Sequence, residues 1–478
     1  MTAGSGIEPG SLGNSSTVAI VGGGLGGLRS AEALRHEGYK GRIVVIGQEP
    51  FLPYDRPPLS KQFLTGAWGA ERVRLREPEL LKELGVEWLL GAAAASLDPE
   101  DRVLEVVPAA ETFPPSRHIP LSETRSADAP GDVHMPGSGP GDGSPGSDGD
   151  ISILSPGDAL DVELLREPRS VRFDACVIAT GARPRSLPVP GAGEAGLSGV
   201  LSLRSLLDSA RLRSALGAPG ARVVVIGAGF IGCEVAASAT ARGADVTLVE
   251  ALELPLIRVL GEQVGRAAAA LHRSHGVELL VSRQVSAVLP VPGTDRVGAV
   301  LLADGQRIPA NVVVVGIGVS PEVGWLQGSG LVLDDGVVCS ETLHAAPRII
   351  AVGDLARWRH PDLGTVRLEH WTNTAEQAAA GAKALLAGPL AASAYAPVPF
   401  FWSDEYDRKI QHLGYSSPDD ELVVVSGSIE SGRFAALYAR DGRLTGAVAF
   451  SQPRELMRYR RLLGEGASLD EALVLARS

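Results

Sequence analysis

The 478-residue chain is poor in the residues that encode redox and metal chemistry locally. Its only cysteines, Cys176, Cys233 and Cys339, lie far apart and form no C-x-x-C or C-x4-C pair. That excludes a disulfide scaffold, a cysteine-built metal cluster and a local dithiol redox centre. The nine histidines show no metal-ligand spacing, so no metal is expected. No run approaches the roughly 20 apolar residues a membrane helix requires. Positive charge is not in excess either: the net charge of −12 argues against nucleic acid as a partner. The residues before Thr17 lack a charged start followed by an apolar core, so no secretory signal is read and a cytoplasmic location is expected.

The negative charge is unevenly placed. Eleven acids face three arginines between Glu111 and Glu167. Residues about 110–160 are rich in Gly, Pro, Ser and Asp and have almost no core-forming side chains, so burial there does not offset the entropy of ordering. A flexible acidic loop between two strands is expected.

What the chain does contain is a repeat. STVAIVGGGLGGLRSAEALRHEG (16–38) and ARVVVIGAGFIGCEVAASATARG (221–243) each run from a β-branched strand through G-x-G-x-x-G into a helix-period segment. Each is followed by a second strand, RIVVIGQE and ADVTLVE, with Glu49 and Glu250 at the ends. In this fingerprint the first glycine permits a tight turn, the second lets backbone N–H groups approach a pyrophosphate, and the third lets helix and strand pack closely. The helix N-terminus then faces the phosphates with its partial positive charge. An acid at the end of the second strand suits a free ribose 2′-hydroxyl and repels a 2′-phosphate, so Glu250 favours NADH over NADPH in the second site. As a bare sequence feature it is also compatible with a solvated strand-end carboxylate.

Further apolar runs, DACVIATGARPR, NVVVVGIGVSPE and RIIAVGDLA, fit buried parallel strands returning to the two sheets. The chain therefore reads as α/β, with two Rossmann-like dinucleotide-binding domains in a glutathione-reductase-like arrangement and a C-terminal α+β domain. The first domain takes residues 14–187 and 319–390, the second 188–318, and the third 395–478, where the DG between two strand patterns signals a hairpin. LPYDRPPLSK (52–61) stands apart. Its three prolines rule out a helix interior or central strand, leaving a stiffened loop that carries Arg56 and Lys61.

Taken together, VGGGLGG, LPYDRPPLSK, ATGARPR, VIGAGFIGCE, VGIGVSP, AVGDLA, EHWTNTAEQA and FFWSDEYDRKIQ resemble the NADH-dependent ferredoxin reductases of bacterial oxygenase systems, in order from about residue 17 to 465. The resemblance implies one FAD, one NADH site and a C-terminal interface domain. It implies hydride transfer from NADH to flavin, then single-electron transfers to an iron-sulfur ferredoxin that serves a cytochrome P-450 or a ring-hydroxylating dioxygenase. Flavin suits this because it accepts a hydride and releases electrons singly.

By the same resemblance, Gly22, Gly24, Gly26 and Gly27 line the FAD pyrophosphate turn and Glu49 meets the adenosine ribose, although Gln48-Glu49 replaces the Asp-Glu of many members. Arg56 meets the FAD diphosphate, Lys61 the flavin edge near N5, Arg183 the adenine or phosphate side, Asp354 the ribityl chain and Trp371 the isoalloxazine. Gly227, Gly229, Phe230, Ile231 and Gly232 form the NADH phosphate turn, Glu250 its ribose contact and Gly318 a close backbone approach. Glu234 resembles the carboxylate that binds the nicotinamide amide; by residue type alone it is a first-turn helix acid. Lys61, Glu234 and Trp371 are the catalytic candidates. Arg454, Arg458, Arg460 and Arg461 read either as a patch steering an acidic ferredoxin or as a solvated helix face.

Two other functions fit the same fold. An NADH oxidase or disulfide reductase usually needs a redox cysteine near the flavin, and the helix after VGGGLGG has none. A flavin-binding regulatory protein is the other, through a distant resemblance to apoptosis-inducing factor.

Overall fold

The computed structural model describes residues 12–109, 162–193 and 196–477. The acidic segment expected at about 110–160 lies outside the described residues.

The run TVAIV forms β1 (Thr17–Val21), and the glycine turn leads straight into α1 (Leu25–His36) and β2 (Arg42–Gly47). Three more strands of the same sheet follow, β3 (Glu87–Leu90), β4 (Val162–Leu164) and β5 (Ala175–Ile178). The chain then builds a second sheet from β6 (Val200–Leu201), β7 (Arg222–Ile226), β8 (Asp245–Val249), β9 (Glu278–Leu280) and β10 (Val312–Val315). Helix α2 (Phe230–Ala241) connects β7 to β8, and α3 (Ile257–Ser274) connects β8 to β9. It returns to the first sheet as β11 (His344–Ala346) and β12 (Ile349–Ala351), followed by α4 (Trp371–Ala387).

The first sheet has the order β11-β12-β5-β1-β2-β3-β4 and is parallel except at its β11–β12 edge. The second has the order β6-β10-β7-β8-β9 and is parallel throughout. Both are buried on two faces, which is why their strands read as continuous apolar runs instead of alternating ones. On one face of the first sheet Val18 and Ile20 pack with Leu28 and Leu34 of α1 and Ala378 and Leu385 of α4; on the other, Ala19 and Val21 pack toward Leu343 and Trp358.

In each sheet the strand preceding the glycine turn sits between neighbours that leave in opposite directions, the arrangement that opens a crevice at the carboxyl ends of the strands. Val21 is level with Ile46 and Ile178, and Ile178 with Ala351, so Gly22, Gly47, Ala179 and Val352 converge at one edge. The inserted half leaves and returns through a short antiparallel pair, Ala182–Pro184 with Val319–Pro321.

The C-terminal sheet is antiparallel: β13 (Phe400–Glu405), β14 (Arg408–Gly414), β15 (Glu421–Ser428), β16 (Arg433–Arg440) and β17 (Arg443–Phe450), in the order β13-β14-β17-β16-β15. Asp441 and Gly442 join the last two with φ of 51° and 75°, the positive pair that a two-residue hairpin turn requires. Phe401, Ile410, Phe434, Tyr438 and Val448 share a core with Val223, Val225, Leu248 and Leu260 of the second half. Tyr395, at the boundary read for the third unit, packs instead in the first core, where its carbonyl accepts from Trp358 Nε1 at 3.1 Å.

Candidate functional site

The two glycine turns have the same geometry, and their three glycines are needed for different reasons. A Cβ on Gly22, whose φ is +126°, would fall 2.2 Å from the Ala179 carbonyl oxygen, and one on Gly27 would fall 1.9 Å from that of Gly22. In the second turn a Cβ on Gly227, at φ +99°, would fall 2.5 Å from the Gly316 oxygen, and one on Gly232 1.9 Å from that of Gly227. The protein's own packing therefore requires the first and third glycines. The middle ones, Gly24 and Gly229, have negative φ, and a Cβ there would meet nothing within 4 Å. Neither helix that follows has a side-chain cap or an acid in its first turn. Two helix N-termini whose approach is kept bare of side chains fit the phosphates of two dinucleotides.

Around the first turn, LPYDRPPLSK folds into an extended strip and a 3-10 turn, Pro57–Ser60, with Pro57 and Pro58 at positions where the missing N–H costs nothing. Tyr54 and Arg56 both reach Glu49, at 2.5 and 2.9 Å. The same loop is fastened to the inserted half. Arg56 Nη1 donates to the Arg204 carbonyl at 2.8 Å, Leu206 N to Tyr54 Oη at 3.1 Å, Ser209 Oγ to the Leu59 carbonyl and Ser238 Oγ to the Ser60 carbonyl at 2.6 Å each. The stiff loop thus joins the two halves as well as presenting its cations.

At its end Lys61 Nζ lies 2.7 Å from Glu234 Oε1, with side-chain exposures of 10% and 3%. Glu234 is the fifth residue of α2, just past the second glycine turn, so the pair ties the end of the proline loop to the second half. Ser60 Oγ donates to Glu234 Oε2 at 2.5 Å and Ser403 Oγ of β13 to Oε1 at 2.7 Å, so all three domains meet at this carboxylate. Such burial is tolerated only because the partner cation and the hydroxyls are in place.

Asp354 follows Gly353, whose φ of +83° turns the chain back at the end of β12. Its carboxylate meets Arg204 Nη2 at 2.8 Å. Trp371 opens α4 and donates from Nε1 to Asp55 Oδ1 at 2.7 Å, with Trp402 edge-on at 6.0 Å. Burial raises the Asp55 pKa, partly opposed by that hydrogen bond. Glu250 accepts from the backbone N–H of Ala228 at 2.6 Å and of Leu252 at 2.9 Å. Phe230 packs edge-on against Phe401 at 4.7 Å, and Ile231 is half exposed. Gly318 has φ +97° with nothing nearer than 4.0 Å to its missing Cβ. Arg183 stands on the crossover pair, exposed, 3.6 Å from Glu322.

The structure therefore joins Lys61 to Glu234, Glu49 to Arg56, Asp354 to Arg204 and Trp371 to Asp55, and leaves Arg183 exposed on the crossover pair. Sequence reading missed Arg204, Asp55, Ser60, Ser403 and Trp402. The last two lie in the quoted FFWSD motif; no local signal marks Arg204. All three cysteines are buried free thiols. Burial pushes Cys176 and Cys339 up to about 12, so neither is a ready nucleophile. Three of the four C-terminal arginines already have acidic partners: Arg458 with Glu455, Arg460 with Glu376 and Arg461 with Glu465. No helix of the described residues is long and apolar enough to cross a membrane.

Two dinucleotide turns, with a buried ion pair between the halves that carry them, on a fold with an inserted second half, define a class of two-site pyridine-nucleotide flavoprotein. Comparison with known proteins agrees: the profile of the family described as pyridine nucleotide-disulphide oxidoreductase matches residues 16–129 and 148–378, and that described as reductase C-terminal matches 400–478. The chain belongs to the pyridine nucleotide-disulphide oxidoreductase family and is an oxidoreductase with FAD and a nicotinamide dinucleotide as cofactors. It is 33% identical to rhodocoxin reductase of Rhodococcus erythropolis, over 94% of this chain and 89% of that one. It is 31% identical to putidaredoxin reductase of Pseudomonas putida, over 96% and 94%. Among solved structures, the covalent putidaredoxin reductase–putidaredoxin complex superposes with a TM-score of 0.79 at 29% identity, covering 98% of this chain and 100% of that one.

Proposed function

We propose that this protein is an NADH:ferredoxin reductase, carrying electrons from NADH through FAD to an iron-sulfur ferredoxin that serves a cytochrome P-450 or a ring-hydroxylating dioxygenase. The observation that carries it is end-to-end similarity to such reductases, C-terminal domain included, around a site that has no thiol pair. That site leaves no obvious route for a disulfide reductase. The reading as a regulatory flavoprotein has no observation in its favour among the described residues.

In this reading the turn at Gly22, Gly24, Gly26 and Gly27 holds the FAD diphosphate, with Arg56 as its counter-charge and Glu49 on the ribose. Asp354, steadied by Arg204, accepts from the ribityl hydroxyls, and Trp371, steadied by Asp55, packs the ring system. Arg183 stays at the adenine side. FAD, when bound, takes up a two-electron hydride and releases electrons one at a time. Lys61 supplies a fixed positive charge where negative charge develops, and Glu234 keeps that ammonium from swinging away. A carboxylate has about four acceptor sites, and three of those on Glu234 are used within the protein. The remaining one suits the nicotinamide amide. Gly227, Gly229, Phe230, Ile231 and Gly232 receive the NADH diphosphate, and Gly318 leaves room for backbone approach. Glu250, fixed by two amides, selects the free 2′-hydroxyl. A cytoplasmic setting fits a reductase that draws on NADH.

The test is oxidation of NADH and of NADPH by the purified yellow protein, with ferricyanide and several iron-sulfur ferredoxins as acceptors. NADH should be preferred, and at least one ferredoxin should be reduced catalytically. Brisk ferricyanide reduction with none of the ferredoxins reduced, or slow turnover from a long-lived reduced complex, would overturn the assignment.

A further inference from the structure

Away from both glycine turns, three ionisable side chains from three elements point at one spot: Cys233 in the first turn of α2, His272 in the last turn of α3, and Glu405 at the end of β13. All three are completely buried. Their ligand-capable atoms lie within 4.8 Å of one another. His272 Nε2 and Glu405 Oε2 are 3.4 Å apart and neither makes a hydrogen bond. Cys233 Sγ has only a weak contact with the Ala228 carbonyl at 3.6 Å. The other imidazole nitrogen, Nδ1, is 2.9 Å from Tyr406 Oη, which fixes the ring and leaves Nε2 aimed inward.

A buried carboxylate oxygen and imidazole nitrogen left without hydrogen bonds are costly, and native proteins rarely leave both uncompensated at one point. One cation answers all three groups together. A thiolate, an imidazole with its far nitrogen held by a hydroxyl, and a carboxylate supply three of zinc's four tetrahedral donors, a zinc-bound water completing the set, with the outer hydrogen bond that orients a ligating histidine already made. Zinc bonds of about 2.0–2.3 Å place tetrahedral donors about 3.3–3.8 Å apart, so the site closes with roughly an ångström of movement.

We infer that Cys233, His272 and Glu405 form a buried structural zinc site that ties the C-terminal sheet to the second dinucleotide half. Binding displaces the Cys233 thiol proton, leaving a zinc–thiolate bond and releasing one proton to solvent, with no change of oxidation state. Because the site is enclosed, zinc enters as the chain folds. The residues are scattered along the sequence, with none of the spacing that marks a zinc motif, and only the packing of β13 against α2 and α3 assembles them. A metal there also pins the residue beside Glu234.

The test uses untagged full-length protein expressed in medium supplemented with zinc chloride and purified without chelators. Elemental analysis should find about one zinc per chain surviving dialysis, and X-ray absorption should show one sulfur near 2.3 Å with lighter donors near 2.0 Å. Cys233→Ser and Glu405→Gln should each lower bound zinc at least tenfold while flavin remains bound. Should either variant fail to fold, the wild-type measurements still decide. Well under a tenth of an equivalent in wild-type protein, or bound zinc without a sulfur neighbour, overturns the site and leaves a plain buried His–Glu pair.

Discussion

The two carboxylates that follow the glycine turns occupy equivalent places and are held by different means. Glu250 is gripped by the backbone amides of Ala228 and Leu252, so its position is set by the turn it serves. Glu49 is gripped by the side chains of Tyr54 and Arg56, which are themselves tied to the inserted half through Leu206 and Arg204. The carboxylate of the second turn is thus held within its own half, while that of the first is built into the joint between domains. On the proposed assignment that is the difference between a nucleotide that comes and goes and one that stays: the exchanging ligand's ribose meets a carboxylate fixed by its own turn, and the resident one's meets a carboxylate locked in by the joint.

The strongest way to break this comparison is at Lys61. Lys61→Met leaves Glu234 buried with no counter-charge, and loss of one member of a buried pair costs about 3–5 kcal/mol. Urea unfolding should show that loss, and Lys61→Met with Glu234→Gln should recover most of it. A single-variant cost below about 1 kcal/mol would mean that the joint does not depend on the pair.

Acid should loosen the joint next. Burial holds His370 down to about 4 and His412 down to about 3, the latter aided by His370, and Phe401 lies against both rings at 4.8 and 5.0 Å. Each is neutral in the folded chain but protonates near pH 6.5 when unfolded. The stabilisation from keeping it neutral is therefore full above about pH 6.5 and declines as pH falls toward the folded value, by about 1.4 kcal/mol per unit for each histidine. Between pH 6.5 and 4, His412→Gln should remove about 3 kcal/mol of the acid dependence, read from urea midpoints across that range. An unchanged slope would place the acid sensitivity elsewhere.

A smaller effect separates the halves directly. Gly24→Ala and Gly229→Ala meet no atom of the protein, so both should fold, with melting temperatures unchanged when compared in the flavin-free state. Gly24→Ala should weaken flavin retention, whereas Gly229→Ala should stay yellow and raise KM for NADH about tenfold, a loss of about 1.4 kcal/mol. Gly27→Ala is the control, since its Cβ would strike the Gly22 carbonyl and the chain should not fold well. If Gly24→Ala melts early even when both proteins are free of flavin, that glycine serves packing and not a ligand.

These features differ in how far they could be read from sequence. The glycine turns, the strands that return as apolar runs and the DG hairpin are local requirements, so β1 through α1 and β7 through α2 were legible outright. The same holds for LPYDRPPLSK as a stiff polar loop. Its second task was not legible, because the partners of Arg56 and Tyr54 belong to an inserted half whose placement no local pattern encodes. Arg204 on Asp354, Ser403 on Glu234 and Tyr395 in the first core escaped for the same reason: each contact exists only once two domains dock. Glu234 shows both sides of this limit, reading as an ordinary helix acid by type and standing as a three-domain anchor by position.

The smallest effect is expected at the C-terminal arginines. Read alone, Arg454, Arg458, Arg460 and Arg461 suggest a patch that draws in an acidic ferredoxin. The fold answers three of them with Glu455, Glu376 and Glu465, which takes most of the field out of the patch, and exposed charges are screened further by salt. Long-range steering scales with net and not gross charge. Changing Arg458, Arg460, Arg461 and their partners Glu455, Glu376 and Glu465 all to glutamine leaves the net charge as it is, and should therefore slow ferredoxin reduction only about threefold at low ionic strength, fading above about 0.1 M salt where the Debye length falls to roughly 10 Å, with ferricyanide reduction unaffected. A slowdown of a hundredfold confined to ferredoxin would show that the partner displaces the internal glutamates and docks on the arginines themselves; equal losses with both acceptors would show that this helical tail supports the flavin half and is no docking face.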